Sequence, residues 1–329
     1  MIRLGIVGTG FISDIFAGSC IATKRYKITA ICSRELGRAK DFGQPYGASF
    51  FFTDVQAMAA CNEVDAVYIA SPNSLHYEHC LAVLRAGKHA IVEKPAFSNA
   101  TQAKYAFAVA RENNALLFEA IRNIHEENHR IMKTQIAQLG PICGASLSYL
   151  QRSSRYDAVL AGEEPNIFSL RYSGGALMDL GIYLLYDAVD WFGVPQSADY
   201  KCRKLRTGVD GSGVALLHYN NFDAVLHVGK TCSSWLPNEV RGDKKAIIID
   251  TAHHIGELRL VGQGTPDETL PLPAPMDMLE AEALCFARLI AGEAAPVSYE
   301  SIEKLSIAVH ILMTQLRMQA DIVFPADEP

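Results

Sequence analysis

A chain of 329 residues with 49% hydrophobic and 20% charged residues has enough apolar material for two cores of ordinary size. A net charge of −6 gives no sign of a nucleic-acid or anionic-membrane surface, and no apolar run approaches the length needed to cross a bilayer. The eight cysteines, at positions 20, 32, 61, 80, 143, 202, 232 and 285, form no C-x-x-C pair and read as reduced thiols of a cytoplasmic protein.

"MIRLGIVGTG" opens directly on a strand and a glycine turn, unlike a signal peptide. Residues 2–7, 27–32, 65–70, 89–92 and 115–120 read as buried strands, with 49–52 as a sixth candidate. Helical patterns at 74–86 and 100–113 separate the later strands. Near-continuous apolar strands alternating with helices predict a doubly wound α/β domain, a parallel sheet covered on both faces, over residues 1–121. From residue 122 the pattern changes. A helix is expected at 126–139, stopping at Gly140-Pro141. Strand-like runs follow at 143–150, 198–206, 212–219, 222–230, 244–250 and 255–261, with a hairpin at Asn220-Asn221. Helices are expected at 278–291 and about 300–320, and the terminal "FPADEP" as a frayed end. Residues 122–329 thus read as an α+β substrate and oligomerisation domain with a largely antiparallel open sheet, the 300–320 helix packing back on the first domain.

Chemistry begins at "GIVGTGFIS", which sets Gly8 and Gly10 after the first strand and Ser13 at the third glycine position. The first glycine permits the tight turn, the second lets backbone amides approach a pyrophosphate, and the helix N-terminus adds partial positive charge. At the tip of the second strand Ser33 and Arg34 stand where a ribose-reading acid marks NAD. A hydroxyl and a cation there favour NADP(H) over NAD(H), although Glu35 is adjacent.

"SPNSLHYEHC" and "HAIVEKPAF" both emerge at the carboxyl edge of the expected sheet. Lys94, between Glu93 and Pro95, could hold a substrate hydroxyl and stabilise an anion, or form a plain surface turn. In "YSGGALMDLGIYLLYDAVDWFG", Asp179 and Tyr183 lie four residues apart, on one face of a helix.

Together, "GTGFIS", "SPNSLHYEHCLAVLRAGKHAIVEKP" and "GGALMDLGIYLLYDA" resemble the glucose–fructose oxidoreductase/inositol dehydrogenase (Gfo/Idh/MocA) family of nicotinamide enzymes over most of residues 1–195. Many members have histidine where this chain has Tyr183, so it looks most like the dihydrodiol dehydrogenase-like branch. The resemblance implies a Rossmann domain and a dehydrogenase or reductase acting on a sugar, polyol or trans-diol, assembled as a homodimer or homotetramer. It assigns Lys94 to the catalytic site and Tyr183 to proton transfer, with Asp179 orienting the lysine or a substrate hydroxyl. A free tyrosine titrates near 10, and a neighbouring ammonium favours the phenolate. The expected cofactor contacts are Gly8, Thr9, Gly10, Phe11, Ile12, Ser33, Arg34, Ser71, Pro72, Asn73, His76, Glu93, Lys94 and Asn123. Where the family carries a different arginine- and proline-containing stretch, this chain reads "IRNIHEENHR", which makes Arg122 and His125 candidate substrate contacts.

Two rival readings exist. A cofactor-binding sensor without turnover has no need for both Lys94 and Tyr183. His125-Glu126-x-x-His129 spells the zinc-hydrolase pattern, but it has only three fixed positions and no downstream G-x-x-H, so no metal is expected. His76 and His79 likewise show no further ligand.

Overall fold

The computed structural model describes residues 1–274, 276 and 279–328. In chain order the elements are β1 (Ile2–Val7), α1 (Phe11–Ala22), β2 (Tyr26–Cys32), α2 (Leu36–Gly43), β3 (Phe50–Phe52), α3 (Val55–Ala59), β4 (Ala66–Ile69), α4 (His76–Arg85), β5 (His89–Glu93), α5 (Ala100–Glu112) and β6 (Leu117–Ala120). There follow α6 (Glu127–Gln138), β7 (Ile142–Leu150), α7 (Tyr156–Leu160), α8 (Ile182–Phe192), β8 (Ser197–Lys204), β9 (Asp210–His218), β10 (Asp223–Gly229), β11 (Asn238–Gly242) and β12 (Lys245–Ile249). The chain ends with β13 (Leu258–Gly262), β14 (Thr265–Thr269), α9 (Glu280–Ile290) and α10 (Tyr299–Gln319). Backbone contacts divide it into two units, residues 1–122 with 276–307 and residues 123–275 with 308–329.

The first unit is a six-stranded sheet in the order β3-β2-β1-β4-β5-β6, every pair parallel. Strand residues alternate between two cores. Val67 and Ile69 join α4 and α5 on one face; Ala66 and Tyr68 join α1 and α9 on the other, where Tyr68 stacks on Phe16 at 3.8 Å. Each fully buried large side chain of these layers stabilises the fold by about 1.5–3 kcal/mol. The order reverses between β1 and β4, so the loops after those strands flank the crevice where doubly wound folds bind ligands.

Helix α9, expected within the 122–329 half, contributes Ala283, Phe286 and Ala287 to the first unit's core. Its expected start, Met278, lies outside the described residues. Helix α10 is divided at residue 307 between the two units.

The second unit is an eight-stranded sheet in the order β14-β13-β12-β11-β7-β10-β9-β8, antiparallel except for the β7–β10 pair. Residues 219–222 close the expected β9–β10 hairpin, with the Tyr219 amide donating to the Phe222 carbonyl at 2.9 Å. Ala224, Leu226 and Val228 on β10 are buried while Asp223, Val225 and His227 face out, and α8 lies against the β7–β10 centre. Strands β11 and β14 and helix α7 were not expected. The tail also differs from expectation. Arg317, 1% exposed, donates to both carboxylate oxygens of Asp327 at 2.6 and 2.8 Å and lies over the Phe324 ring, so residues through Asp327 are pinned. Among the described residues no helix is long and apolar enough to cross a membrane.

Candidate active site

The glycine turn sits where β1 ends. Gly8 has φ +102°, and an added Cβ would lie 2.6 Å from the Ala70 carbonyl oxygen, so neither backbone nor space admits a side chain. Gly10, the N-cap of α1, differs: an added Cβ meets no atom of the chain within 4 Å. Internal packing does not demand glycine there, whereas close approach of a pyrophosphate does. Thr9 and Ile12 are half-buried and Phe11 is 79% exposed in the first turn of the helix. Ser13 is buried, and its hydroxyl finds no partner among the described residues.

Ser33 follows β2 with its amide donating to the Phe52 carbonyl at 3.1 Å, and Arg34 is exposed beside it. The acid that complicated the cofactor reading, Glu35, turns along α2 toward Arg38, with 3.5 Å between carboxylate and guanidinium.

The loop after β4 and the loop after β5 are tied together by His76. Its Nε2 lies 2.7 Å from the Ser71 carbonyl and its Nδ1 3.0 Å from the Pro95 carbonyl. Burial holds this imidazole down at about 4, so it is neutral near pH 7. His79 adds a contact of 2.9 Å to the Ser71 hydroxyl, so the H-x-x-H pair braces the Ser71-Pro72-Asn73 loop. On β5, Glu93 is buried and accepts a hydrogen bond from the Tyr68 hydroxyl. Lys94 is half-buried and joined to Pro95 by a cis peptide bond. The next amide, that of Ala96, donates to Glu119 at 2.7 Å, and the other Glu119 oxygen accepts from Ser306 at 2.8 Å. Glu119, His76 and Glu93, two of them expected at the cofactor, therefore form a buried polar frame around the backbone that carries Lys94. Arg122 follows β6 and is half-buried.

In the second unit the glycine-led segment begins with Gly175 at φ +126°, where an added Cβ would fall 2.2 Å from the Asp210 carboxylate. That buried carboxylate accepts from the Leu177 amide at 2.7 Å and from the Tyr200 hydroxyl at 2.6 Å, fixing the start of the segment. Leu177–Gly181 is a π-helix leading into α8, a device that widens the turn and is frequent at functional sites. Asp179 on it pairs with Lys230, which is 6% exposed, a partner that the sequence did not single out. Tyr183 opens α8 half-buried, its ring 5.7 Å from Tyr149 and 6.1 Å from His253, which stack on each other at 4.0 Å.

Beneath Tyr183 runs a second buried network. Asn123, expected to touch the cofactor, is 1% exposed; its amide donates to Asp187 at 2.6 Å and to the Tyr183 carbonyl at 3.4 Å. Its place is thus under the helix that carries Tyr183. Asp187 also meets His129 Nε2 at 3.1 Å, and burial pushes its carboxyl up to about 6 against the pull of His129 and Asn123. The H-E-x-x-H string is not one helical turn. His125 ends a 3₁₀ turn, Glu126 caps α6 and faces His254 at 3.0 Å, and His129 engages Asp187. His125 is buried, and desolvation lowers it to about 3. Glu119 and Asp187 carried a legible signal, an acid inside an otherwise apolar strand and an acid inside an apolar helix. Lys230, at the end of β10, carried none.

A family model described as "Oxidoreductase family, NAD-binding Rossmann fold" matches residues 2–121. The chain is 36% identical over 328 residues, 100% of both chains, to scyllo-inositol 2-dehydrogenase (NADP(+)) of Bacillus subtilis (strain 168). It is 28% identical over 238 residues to human (Homo sapiens) trans-1,2-dihydrobenzene-1,2-diol dehydrogenase, covering 70% of this chain and 68% of that one. A crystal structure of a 3-ketoreductase from Actinomadura kijaniata in complex with NADP superimposes with a TM-score of 0.82 at 26% identity, over 97% of each chain.

Proposed function

The chain belongs to the glucose–fructose oxidoreductase/inositol dehydrogenase family of NAD(P)-dependent oxidoreductases, and from that premise we propose that it interconverts a secondary alcohol of a polyol or sugar and the corresponding carbonyl with NADP(H), using Lys94 and Tyr183. The observation that carries the reading is the half-buried Tyr183 at the start of α8, in a chain alignable end to end with an NADP-dependent inositol dehydrogenase.

Gly8 and Gly10, at the N-terminus of α1, would hold the pyrophosphate, and Ser33 with Arg34 would receive the 2′-phosphate. The bound nicotinamide supplies or accepts the hydride. Tyr183 Oη takes the alcohol proton in oxidation and returns it in reduction. The Lys94 ammonium holds the same oxygen and stabilises negative charge on it and on the phenolate. Asp179 acts on this centre through its pair with Lys230, keeping that second cation in place. Since Glu35 already faces Arg38, it offers little repulsion to a phosphate at Arg34.

The decisive measurement is steady-state kinetics of Tyr183→Phe on polyols and aldoses with NADPH/NADP⁺. Turnover should fall about 10²–10⁴-fold while NADPH affinity, read by fluorescence titration, stays unchanged. Wild-type turnover in the variant removes the proton donor from the scheme, and tighter binding of NADH than NADPH removes the 2′-phosphate contact.

A further inference from the structure

Lysine is almost never fully buried unless it is paired, and Lys230, directly after β10, is 6% exposed. Its backbone is locked on both sides. The amide donates to the Gly211 carbonyl at 2.8 Å, and the carbonyl accepts from the Ser153 amide at 2.9 Å. Strand period carries the side chain to the face that buries Val228, two residues earlier. There the π-helical segment Leu177–Gly181 packs against the strand, so closely that an added Cβ at Gly181 would lie 3.2 Å from Val228 Cγ1. Two residues back along the segment, Asp179 meets the Lys230 ammonium, and the Phe168 ring lies 5.9 Å from it. Equal steps from one close contact, Gly181 to Asp179 and Val228 to Lys230, therefore bring the two charges together.

Stability does not account for the pair. Taking both charges out of water costs about as much as their attraction returns, and apolar residues of the same volume usually serve as well. The pair lies instead on the segment that leads into Tyr183, four residues after Asp179. To take the alcohol proton Tyr183 has to be a phenolate. An uncancelled carboxylate one turn earlier opposes that second negative charge, an effect felt over about 4–6 Å.

We propose that Lys230 is a positioning residue for the reaction: it fixes the Asp179 carboxylate ahead of Tyr183 and cancels its charge, so that the Tyr183 phenolate forms where the enzyme works. In oxidation the alcohol O–H proton then passes to Tyr183 Oη as the hydride leaves the same carbon for the nicotinamide. This deepens the function proposed above and rests on Tyr183 being the group that takes the proton.

The other titratable groups around this centre are Tyr149 on β7 and His253 after β12, whose rings contact Tyr183, and Asp187 with His129 beneath it. Asp210 stands at the start of the π-helical segment, and the Lys94 ammonium belongs to the proposed scheme. All of them are common to the variants compared below and drop out of the comparison.

The test is kcat for oxidation by NADP⁺ against pH, with whichever of inositol and glucose turns over faster. It should rise along a limb that reports Tyr183 ionisation. Lys230→Met leaves Asp179 uncancelled and should move that limb up by about one pH unit, whereas Asp179→Asn leaves Lys230 uncancelled and should move it down by about as much. The double variant Lys230→Met/Asp179→Asn is neutral there, as the wild-type pair is, and should bring the limb back to within about 0.3 unit. Lys230→Arg keeps the charge and should hold the limb in place. A merely structural pair lowers rate and stability in both single variants but does not shift the limb in opposite senses. A limb that stays at the wild-type position in both single variants, or moves the same way in both, overturns the proposal. Should Lys230→Met not fold, the limb must still fall in Asp179→Asn and return in the double variant, and any other result overturns the proposal. Failure of the underlying reading is separate and shows as a limb that persists, with full activity, in Tyr183→Phe.

Discussion

The backbone around Lys94 and the helix that carries Tyr183 are both held from beneath by buried polar groups, but the two frames are finished to different degrees. Around Lys94 the carboxylate is matched: Glu119 receives an amide and a hydroxyl on separate oxygens, and the neutral His76 ring, lying between two carbonyls, donates to one of them. Under Tyr183 the network is incomplete: Asp187 Oδ2, Asn123 Oδ1 and Trp191 Nε1 find no hydrogen-bond partner among the described residues. A carboxylate matched on both oxygens holds a loop firmly, whereas a buried carboxylate with one free oxygen is held at the edge of protonation. The two frames should thus respond to acid in opposite senses: the lysine loop is held while His76 stays neutral, and the tyrosine helix rests on a carboxyl that gains a proton as pH falls.

Removing one member from each frame gives the largest contrast. Asp187→Ala strips the partner from both His129 and Asn123 and should cost about 3–5 kcal/mol in urea denaturation. Glu119→Ala leaves a buried amide and a hydroxyl unsatisfied and should cost about 2–3 kcal/mol. An equal or reversed order in the measured unfolding free energies would show that the incomplete network is not the more heavily strained one.

Acid separates the units next. His76 is held near 4, against about 6.5 in an unfolded chain, so its contribution is complete above pH 6.5 and is lost as pH falls toward 4, up to about 3 kcal/mol. His79 and His89 are lowered and Asp65 is lowered, and all act in the same sense in the first unit. In the second unit His125 also resists protonation, but Asp187 works against it. Raised to about 6, Asp187 contributes most below pH 3.8, and that contribution declines as pH rises through 6. The raised Asp210 acts in the same sense as Asp187. Hydrogen exchange followed by mass spectrometry at about pH 7 and 4.5, corrected for intrinsic rates, should show β4–β6 losing more protection than α6 and α8. Asp187→Asn should narrow that gap by removing one opposing group; an unaltered gap would mean that Asp187 does not titrate in this window.

The smallest expected effect lies at the cofactor edge. Glu35 and Arg38 are both well exposed, so Glu35→Gln should change stability by less than about 0.5 kcal/mol. Freeing Arg38 should nevertheless tighten NADPH by about twofold to threefold without helping NADH. Parallel tightening of both cofactors would place Glu35 outside the phosphate's reach.

Much of the architecture was legible in residues near one another in sequence. The apolar runs at 65–70 and 89–92 marked fully buried strands, and Gly8-x-Gly10 marked the turn at the crevice, because strand period and positive φ are local properties. The individual tasks of polar residues were less legible. Asp179 pairs with Lys230 at the end of β10, and Asn123 lies under α8 although its place after the last parallel strand suggested a cofactor contact. Nothing in either neighbourhood names the partner. The zinc-like string failed for a local reason also: a 3₁₀ turn ends at His125 and α6 starts at Glu127, so its two histidines do not share one helical turn.

By itself, then, the sequence determined two element patterns, a parallel α/β half and a mostly antiparallel half, and where a nucleotide turn and a tyrosine-bearing helix begin. Only the tertiary structure decided that Glu119 meets Ser306 across 187 residues and that His129 meets Asp187 across 58. The physical reason is range. Backbone conformation answers to a residue's immediate neighbours, but a buried hydrogen bond exists only once distant segments have closed around it.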